Sequence, residues 1–151
     1  MSAPSTLPLL PLALYVHIPW CVQKCPYCDF NSHAQKQAIP EVEYVAALLD
    51  DLSADLAYVA GRTLSSIFIG GGTPSLFSAQ AIERLLSGIR ARIPFADDIE
   101  ITLEANPGTV EADRFADLLI TLGRARDVEA HDVFEQQSVA FTVRQIEKTT
   151  E

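Results

Sequence analysis

Leu12-Ala13-Leu14-Tyr15-Val16-His17-Ile18 runs directly into Pro19-Trp20-Cys21. The first seven residues are almost continuously apolar, several of them β-branched or aromatic, and proline ends the run. That is the pattern of a strand buried on both faces of a parallel sheet. Working outward, Pro40 opens a segment in which Val42, Val45, Leu49, Leu52, Leu56 and Val59 recur at three- and four-residue steps, predicting one amphipathic helix closed by Gly61. Ser65 to Ile69 reads as a second strand, and it leads straight into Gly70-Gly71-Gly72-Thr73-Pro74. Ile82, Leu85, Leu86, Ile89 and Ile93 mark a second helix, and Ile99 to Leu103 a third strand. After Asn106-Pro107-Gly108, a third helix is expected from Thr109, a fair N-cap, to about Leu122. Strand and helix alternate three times, so the fold class is α/β with parallel strands and helices packed outside them.

The 151 residues suit one domain. With 48% hydrophobic and 21% charged residues, the chain has enough apolar surface for a packed core. Eleven Lys and Arg against twenty Asp and Glu leave a net charge of −9, and only Lys24 and Lys36 are basic before Arg62. A nucleic-acid surface built on basic residues is therefore disfavoured. No run approaches the roughly 20 apolar residues that span a bilayer. Pro8, Pro11, His17 and Pro19 interrupt the apolar stretch at the start, and no basic residue precedes it, so it reads poorly as a signal peptide. A cytoplasmic protein is expected. Cysteine use agrees, because three cysteines confined to positions 21–28 do not make a disulfide framework.

Those cysteines form Cys21-Val22-Gln23-Lys24-Cys25-Pro26-Tyr27-Cys28, a CxxxCxxC run in the loop after the first strand. Three thiolates in so short a loop can converge on one centre. A [4Fe–4S] cluster takes sulfur ligands on its irons, and three cysteines leave one iron open to another ligand. The spacing alone leaves two alternatives: a zinc site completed by His17 or His33, or three unbonded thiols.

Tyr15-Val16-His17-Ile18-Pro19-Trp20-Cys21, Cys25, Tyr27-Cys28-Asp29-Phe30, then Gly70-Gly71-Gly72-Thr73-Pro74-Ser75, then Glu104-Ala105-Asn106-Pro107-Gly108 together resemble the radical S-adenosylmethionine (radical SAM) superfamily. Within it the resemblance is to the family of the heme chaperone HemW and oxygen-independent coproporphyrinogen III oxidase. All three motifs fall at the C-terminal ends of successive strands, where a βα barrel assembles its site. The resemblance implies the amino-terminal half of a partial (β/α)6 TIM-like barrel. Cys21, Cys25 and Cys28 would ligate the [4Fe–4S] cluster, whose fourth iron would take the amino and carboxylate groups of S-adenosylmethionine. An electron from the cluster could then cleave the sulfonium bond to give a 5′-deoxyadenosyl radical. Gly71, Gly72 and Thr73 would present backbone groups to the methionine moiety, and Glu104 would accept hydrogen bonds from ribose hydroxyls. Tyr15 and Tyr27 would border the ligand, Tyr27 near the adenine. His17, on the same strand face as Tyr15, is expected to support or pack, with no ligand role.

The oxidase branch carries a further cysteine two residues after the third cluster cysteine, and Phe30 stands there in this sequence. The chaperone pattern is therefore the better match, implying heme and heme-acceptor proteins as partners; the alternatives are an oxidase-type enzyme of porphyrin biosynthesis, or a chain without a cluster. The resemblance covers about residues 12–115. Family members are far longer and continue with a fourth strand not found here, so the sequence reads as an amino-terminal piece. Residues 1–11 are taken as an extension, 12–122 as the partial core domain, and 123–151 as a divergent, acid-rich tail of helical character.

Overall fold

The computed structural model describes residues 10–105 and 112–125. Five strands, β1 (Leu12–Ile18), β2 (Trp20–Cys21), β3 (His33–Ala34), β4 (Leu64–Gly71) and β5 (Phe95–Leu103), alternate with helices α1 (Glu41–Ala54), α2 (Leu56–Val59), α3 (Ala79–Arg90) and α4 (Ala112–Ala125). A 3-10 turn at Pro74–Leu76 follows β4. β1, β4 and β5 form a parallel sheet in the order β1-β4-β5, while β2 and β3 make a separate two-stranded parallel ladder. The expected α/β class with three βα units is what the chain builds.

β1 departs from its expected environment. Val16 and Ile18 are buried, whereas Ala13 and Tyr15 are exposed, so among the described residues only one face of the strand is covered. Helices pack on that face: Val45 of α1, Ile82, Leu85, Leu86 and Ile89 of α3, and Leu118 and Leu122 of α4 join Val16, Ile18, Ile67, Ile69, Ile99, Ile101 and Leu103 in one core. The opposite face, carrying Tyr15, His17, Phe68, Gly70 and Thr102, has no helix against it among the described residues. A continuous apolar run signals two buried faces only when both layers are present; here the second face belongs to Tyr15 and Phe68, aromatic yet 54% and 38% exposed.

The first predicted helix is broken in two. Ser53 Oγ donates to the Leu49 carbonyl at 2.7 Å, and the Asp55 N–H is shared between Asp51 O and Leu52 O. Back-bonding of this kind competes with the helix's own hydrogen-bond ladder, and Leu56 and Val59 of α2 still pack on the core. Val42, placed on the apolar stripe by periodicity, is 59% exposed. The left-handed turn that ends α2 begins at Ala60, one residue before Gly61. β5 starts at Phe95, four residues before the predicted strand, and Ile93 is buried beyond the end of α3. α4 runs through Ala125. Thr109 and the tail beyond residue 125 lie outside the described residues.

Two features fix the ends of the helices that support the site. Ser78 caps α3, its Oγ accepting from Ala81 N–H at 3.2 Å, and Glu41 at the start of α1 accepts from both Ser78 N–H (2.7 Å) and Ser78 Oγ (2.6 Å). One carboxylate thus joins the N-termini of α1 and α3. Slips of register beside Leu64, with Ser65 Oγ donating to Leu12 O, leave the C-terminal ends of β1, β4 and β5 aligned: His17 opposite Gly70, Ile18 opposite Gly71, Ile69 opposite Leu103.

Candidate cluster and ligand site

That alignment delivers three loops to one end of the sheet. The first carries the cysteines. β2 and β3 close its base, with His33 N–H donating to Pro19 O (2.8 Å) and Gln35 N–H to Cys21 O (2.7 Å). Between them Cys28 N–H bonds Cys25 O at 3.1 Å, making a turn across the second and third cysteines. All three are half-buried free thiols, and Cys28 Sγ lies 3.6 Å from the hydroxyl of buried Ser32. Among the described residues, no three His, Cys, Asp or Glu side chains are gathered into a metal-holding group. Tyr27 projects into solvent, and a hydrogen bond with Cys25, reinforced by the charges of Cys25 and Cys28, raises its phenol pKa.

The glycine turn is bolted to this loop. Gly72 N–H donates to Ile18 O and Thr73 N–H to Trp20 O, both at 2.7 Å. Gly71 has φ +114°, and a Cβ there would sit 2.7 Å from His17 Cε1 and Nδ1. A Cβ on Gly72 would lie 2.5 Å from Trp20 O and 3.0 Å from Cys21 Sγ. Such approaches exclude any side chain, which is the physical reason for glycine here. Behind the turn, Trp20 packs edge-on against Tyr44 at 4.7 Å between ring centroids, and against Phe77 at 5.8 Å. Thr73 is buried, and Ser75 Oγ is buried without a hydrogen-bond partner.

Glu104 follows β5. Its N–H bonds Ile69 O, and its Oε2 accepts from Gly71 N–H at 3.3 Å. Tyr15 stacks on Phe68 across the uncovered sheet face (6.1 Å between centroids, 24° between planes) and its hydroxyl lies 2.9 Å from His17 Nδ1. Burial, with a further contribution from the Glu104 charge, raises the Tyr15 pKa. Tyr15, Gly71, Gly72, Glu104 and Cys21 therefore stand around one sheet end, linked through His17 and Trp20, while Tyr27 is out with Cys25 and Cys28. A shallow cleft of about 100 Å³ between α3, α4 and the start of β5, lined by Glu83, Arg90, Phe95 and Arg124 among others, shares no residue with this cluster.

Sequence reasoning did not find the β2–β3 ladder, whose two-residue strands carry no periodic signal, or the contacts of His17. His17 Nε2 lies 2.7 Å from the carbonyl of Asn31 and Nδ1 takes the Tyr15 hydroxyl, so both ring nitrogens are engaged. This counts against His17 as the fourth ligand of a zinc site. The donor set, three free thiols beside a glycine whose missing Cβ gives Cys21 Sγ its room, fits a sulfur-ligated cluster.

The sequence profile of the radical SAM superfamily matches residues 15–133, a span that contains every part of this site. The chain belongs to the radical SAM superfamily. Among curated radical SAM relatives, it is 67% identical over 109 residues to the heme chaperone HemW of Escherichia coli (strain K12), covering 72% of this chain and 29% of that protein. It is 68% identical over 111 residues to the Haemophilus influenzae heme chaperone HemW, with 71% and 29% covered. A solved structure, the radical SAM enzyme coproporphyrinogen III oxidase (HemN) from Escherichia coli, superposes with a TM-score of 0.67 at 34% identity, covering 82% of this chain and 27% of that one. The chain thus spans less than a third of the length of these relatives.

Two outcomes follow for this end of the sheet. Gly72→Ala should displace Trp20 and Cys21, lower the free energy of unfolding by about 2 kcal/mol and shift the emission of Trp20, the chain's one tryptophan; unchanged stability and emission would contradict the packing. In an alkaline absorbance titration, the step lost in Tyr15→Phe should move to lower pH in Glu104→Gln, because removing the carboxylate charge eases phenolate formation. Since the folded pKa is raised, the unfolded chain loses this proton first, and Tyr15 should withdraw stability as pH rises past its ordinary value. A Tyr15 step indifferent to Glu104→Gln would refute the coupling.

Proposed function

We propose that this chain forms the cluster- and S-adenosylmethionine-binding part of a heme-chaperone-type radical SAM protein. In this reading Cys21, Cys25 and Cys28 hold the [4Fe–4S] cluster and leave one iron for S-adenosylmethionine. When bound, the cluster supplies one-electron reduction to its sulfonium ligand. The rest is the work of this chain's own residues. Gly71, Gly72 and Thr73 have their N–H groups engaged inside the protein and Thr73 O accepts from Leu76 N–H, so a backbone contact from the turn to a ligand is made by a glycine carbonyl, which suits an ammonium group. The Glu104 carboxylate accepts from ribose hydroxyls, Tyr15 walls the ligand on the sheet side, and Tyr27 covers it from the cysteine loop.

The observation that supports the reading is the bolting of the glycine turn to the cysteine loop through Ile18 O and Trp20 O, which sets the cysteine-bearing loop beside the glycine turn. Heme as a further ligand, with heme-acceptor proteins as partners, rests on the similarity to HemW. Two features favour the chaperone over an oxidase-type enzyme: identity to HemW of 67–68% against 34% to the Escherichia coli oxygen-independent coproporphyrinogen III oxidase, and Phe30, 54% exposed, at the position where the oxidase branch carries a cysteine. Among the described residues no helix is long and apolar enough to cross a membrane.

Anaerobic incubation with iron and sulfide should give a brown protein with on the order of four irons per chain, and quench Trp20 emission. Cys25→Ala should remain near colourless. The reduced wild type should show a paramagnetic signal that changes when S-adenosylmethionine is added, and a heme titration should give a Soret band. A colourless wild type would overturn the cluster assignment; a cluster without any heme spectrum would overturn the chaperone assignment for this chain.

A further inference from the structure

His17 touches two of the three loops that meet at the sheet end, the cysteine loop at Asn31 and the glycine turn at Gly71, yet in the proposed function it holds no ligand. Its ring lies against the Cα of Gly71, its Nδ1 is 2.9 Å from the Tyr15 hydroxyl, and its Nε2 is 2.7 Å from the Asn31 carbonyl. The main-chain carbonyl of the same residue accepts from Tyr44 Oη at 2.8 Å, which ties it to α1. A carbonyl can only accept, so Nε2 must carry the proton that bonds Asn31; in the neutral ring Nδ1 is then the acceptor and Tyr15 the donor. Asn31 is the last residue before Ser32 and the β3 strand, the point at which the cysteine loop returns to the body of the protein. Eleven residues separate Trp20 from Ser32, and beside the β2–β3 base the hydrogen bond from His17 is a side-chain link that fastens the loop's far end to the central sheet.

We infer that His17 is a positioning residue: it clamps the cysteine loop at Asn31 and sets that loop's height relative to Tyr15 and the glycine turn. The assignment rests on the cluster reading only in naming what the loop carries; the clamp itself is a property of the metal-free chain. Two substitutions separate its arms. Glutamine reaches as far as Nε2 and keeps a donor for Asn31, whereas asparagine reaches only as far as Nδ1 and cannot.

The test uses the full metal-free chain. Nitrogen-15 shifts of the His17 ring should show Nε2 protonated and Nδ1 as an acceptor. Amide exchange at His33 and Gln35, the two bonds that close the loop, should be about tenfold faster in His17→Asn than in wild type, the factor one ordinary hydrogen bond is worth. Exchange at Ile67 and Ile69 in the central strand should stay unchanged, and His17→Gln should restore wild-type protection at His33 and Gln35. An Nδ1-protonated ring, or loop protection that is the same in the glutamine and asparagine variants, would overturn the clamp. Should His17→Asn also loosen Ile67 and Ile69, the ring shifts and the glutamine variant decide. After reconstitution, chelator-driven iron loss should be faster in His17→Asn than in His17→Gln; a wild type that takes up no iron would refute the cluster reading and leave the exchange results standing.

Discussion

Two backbone hydrogen bonds, from Gly72 N–H to Ile18 O and from Thr73 N–H to Trp20 O, hold the glycine turn against the first residues of the cysteine loop. They form only where the chain lacks a Cβ, since a side chain at Gly72 would collide with Trp20 and crowd Cys21. They also require the parallel register that sets Ile18 beside Gly71. From this pair the rest of the site follows outward. Cys21 is pinned, the β2–β3 ladder returns the loop, and Gly71 presents its N–H to Glu104. Trp20, held by its own carbonyl, becomes the aromatic floor on which Tyr44 and Phe77 pack.

Layering explains why the candidate site's groups gather on one side. Helices α1, α3 and α4 cover one face of the β1-β4-β5 sheet, and apolar burial on that face supplies the stability. The other face is left to Tyr15, His17, Phe68 and the glycine turn, groups that can touch something other than core. In the radical SAM superfamily, to which the chain belongs, the solved coproporphyrinogen oxidase superposes on this same half-barrel. Among the described residues the sheet edges at β1 and β5 have one strand neighbour each.

The fold was legible where periodicity and punctuation agreed. Ile82, Leu85, Leu86 and Ile89 lie buried along α3 as their spacing required, and the Gly70-Gly71-Gly72 run ends β4. The failures have local causes. The Ser53 hydroxyl bonds the Leu49 carbonyl next to the break in a helix that apolar spacing alone draws as one, and an apolar strand does not reveal that only one of its faces is covered among the described residues. The candidate site was read as motifs, Cys21-Cys25-Cys28, Gly71-Gly72-Thr73 and Glu104, and of these the structure gathers Cys21, the glycine turn and Glu104 at one sheet end. What joined them was not legible. The His17 bond to Asn31 crosses fourteen positions to a backbone carbonyl, which any residue could supply.

The central claim is that three cysteines on this loop hold a cluster and leave one iron for an outside ligand placed by the glycine turn. Mössbauer spectroscopy of the iron-57-reconstituted chain, with and without S-adenosylmethionine, tests it most directly. The account predicts that adding S-adenosylmethionine changes the isomer shift of a single iron site while the sulfur-ligated irons keep theirs, and that Gly72→Ala weakens this response. A spectrum in which every iron is equivalent and indifferent to S-adenosylmethionine would contradict it.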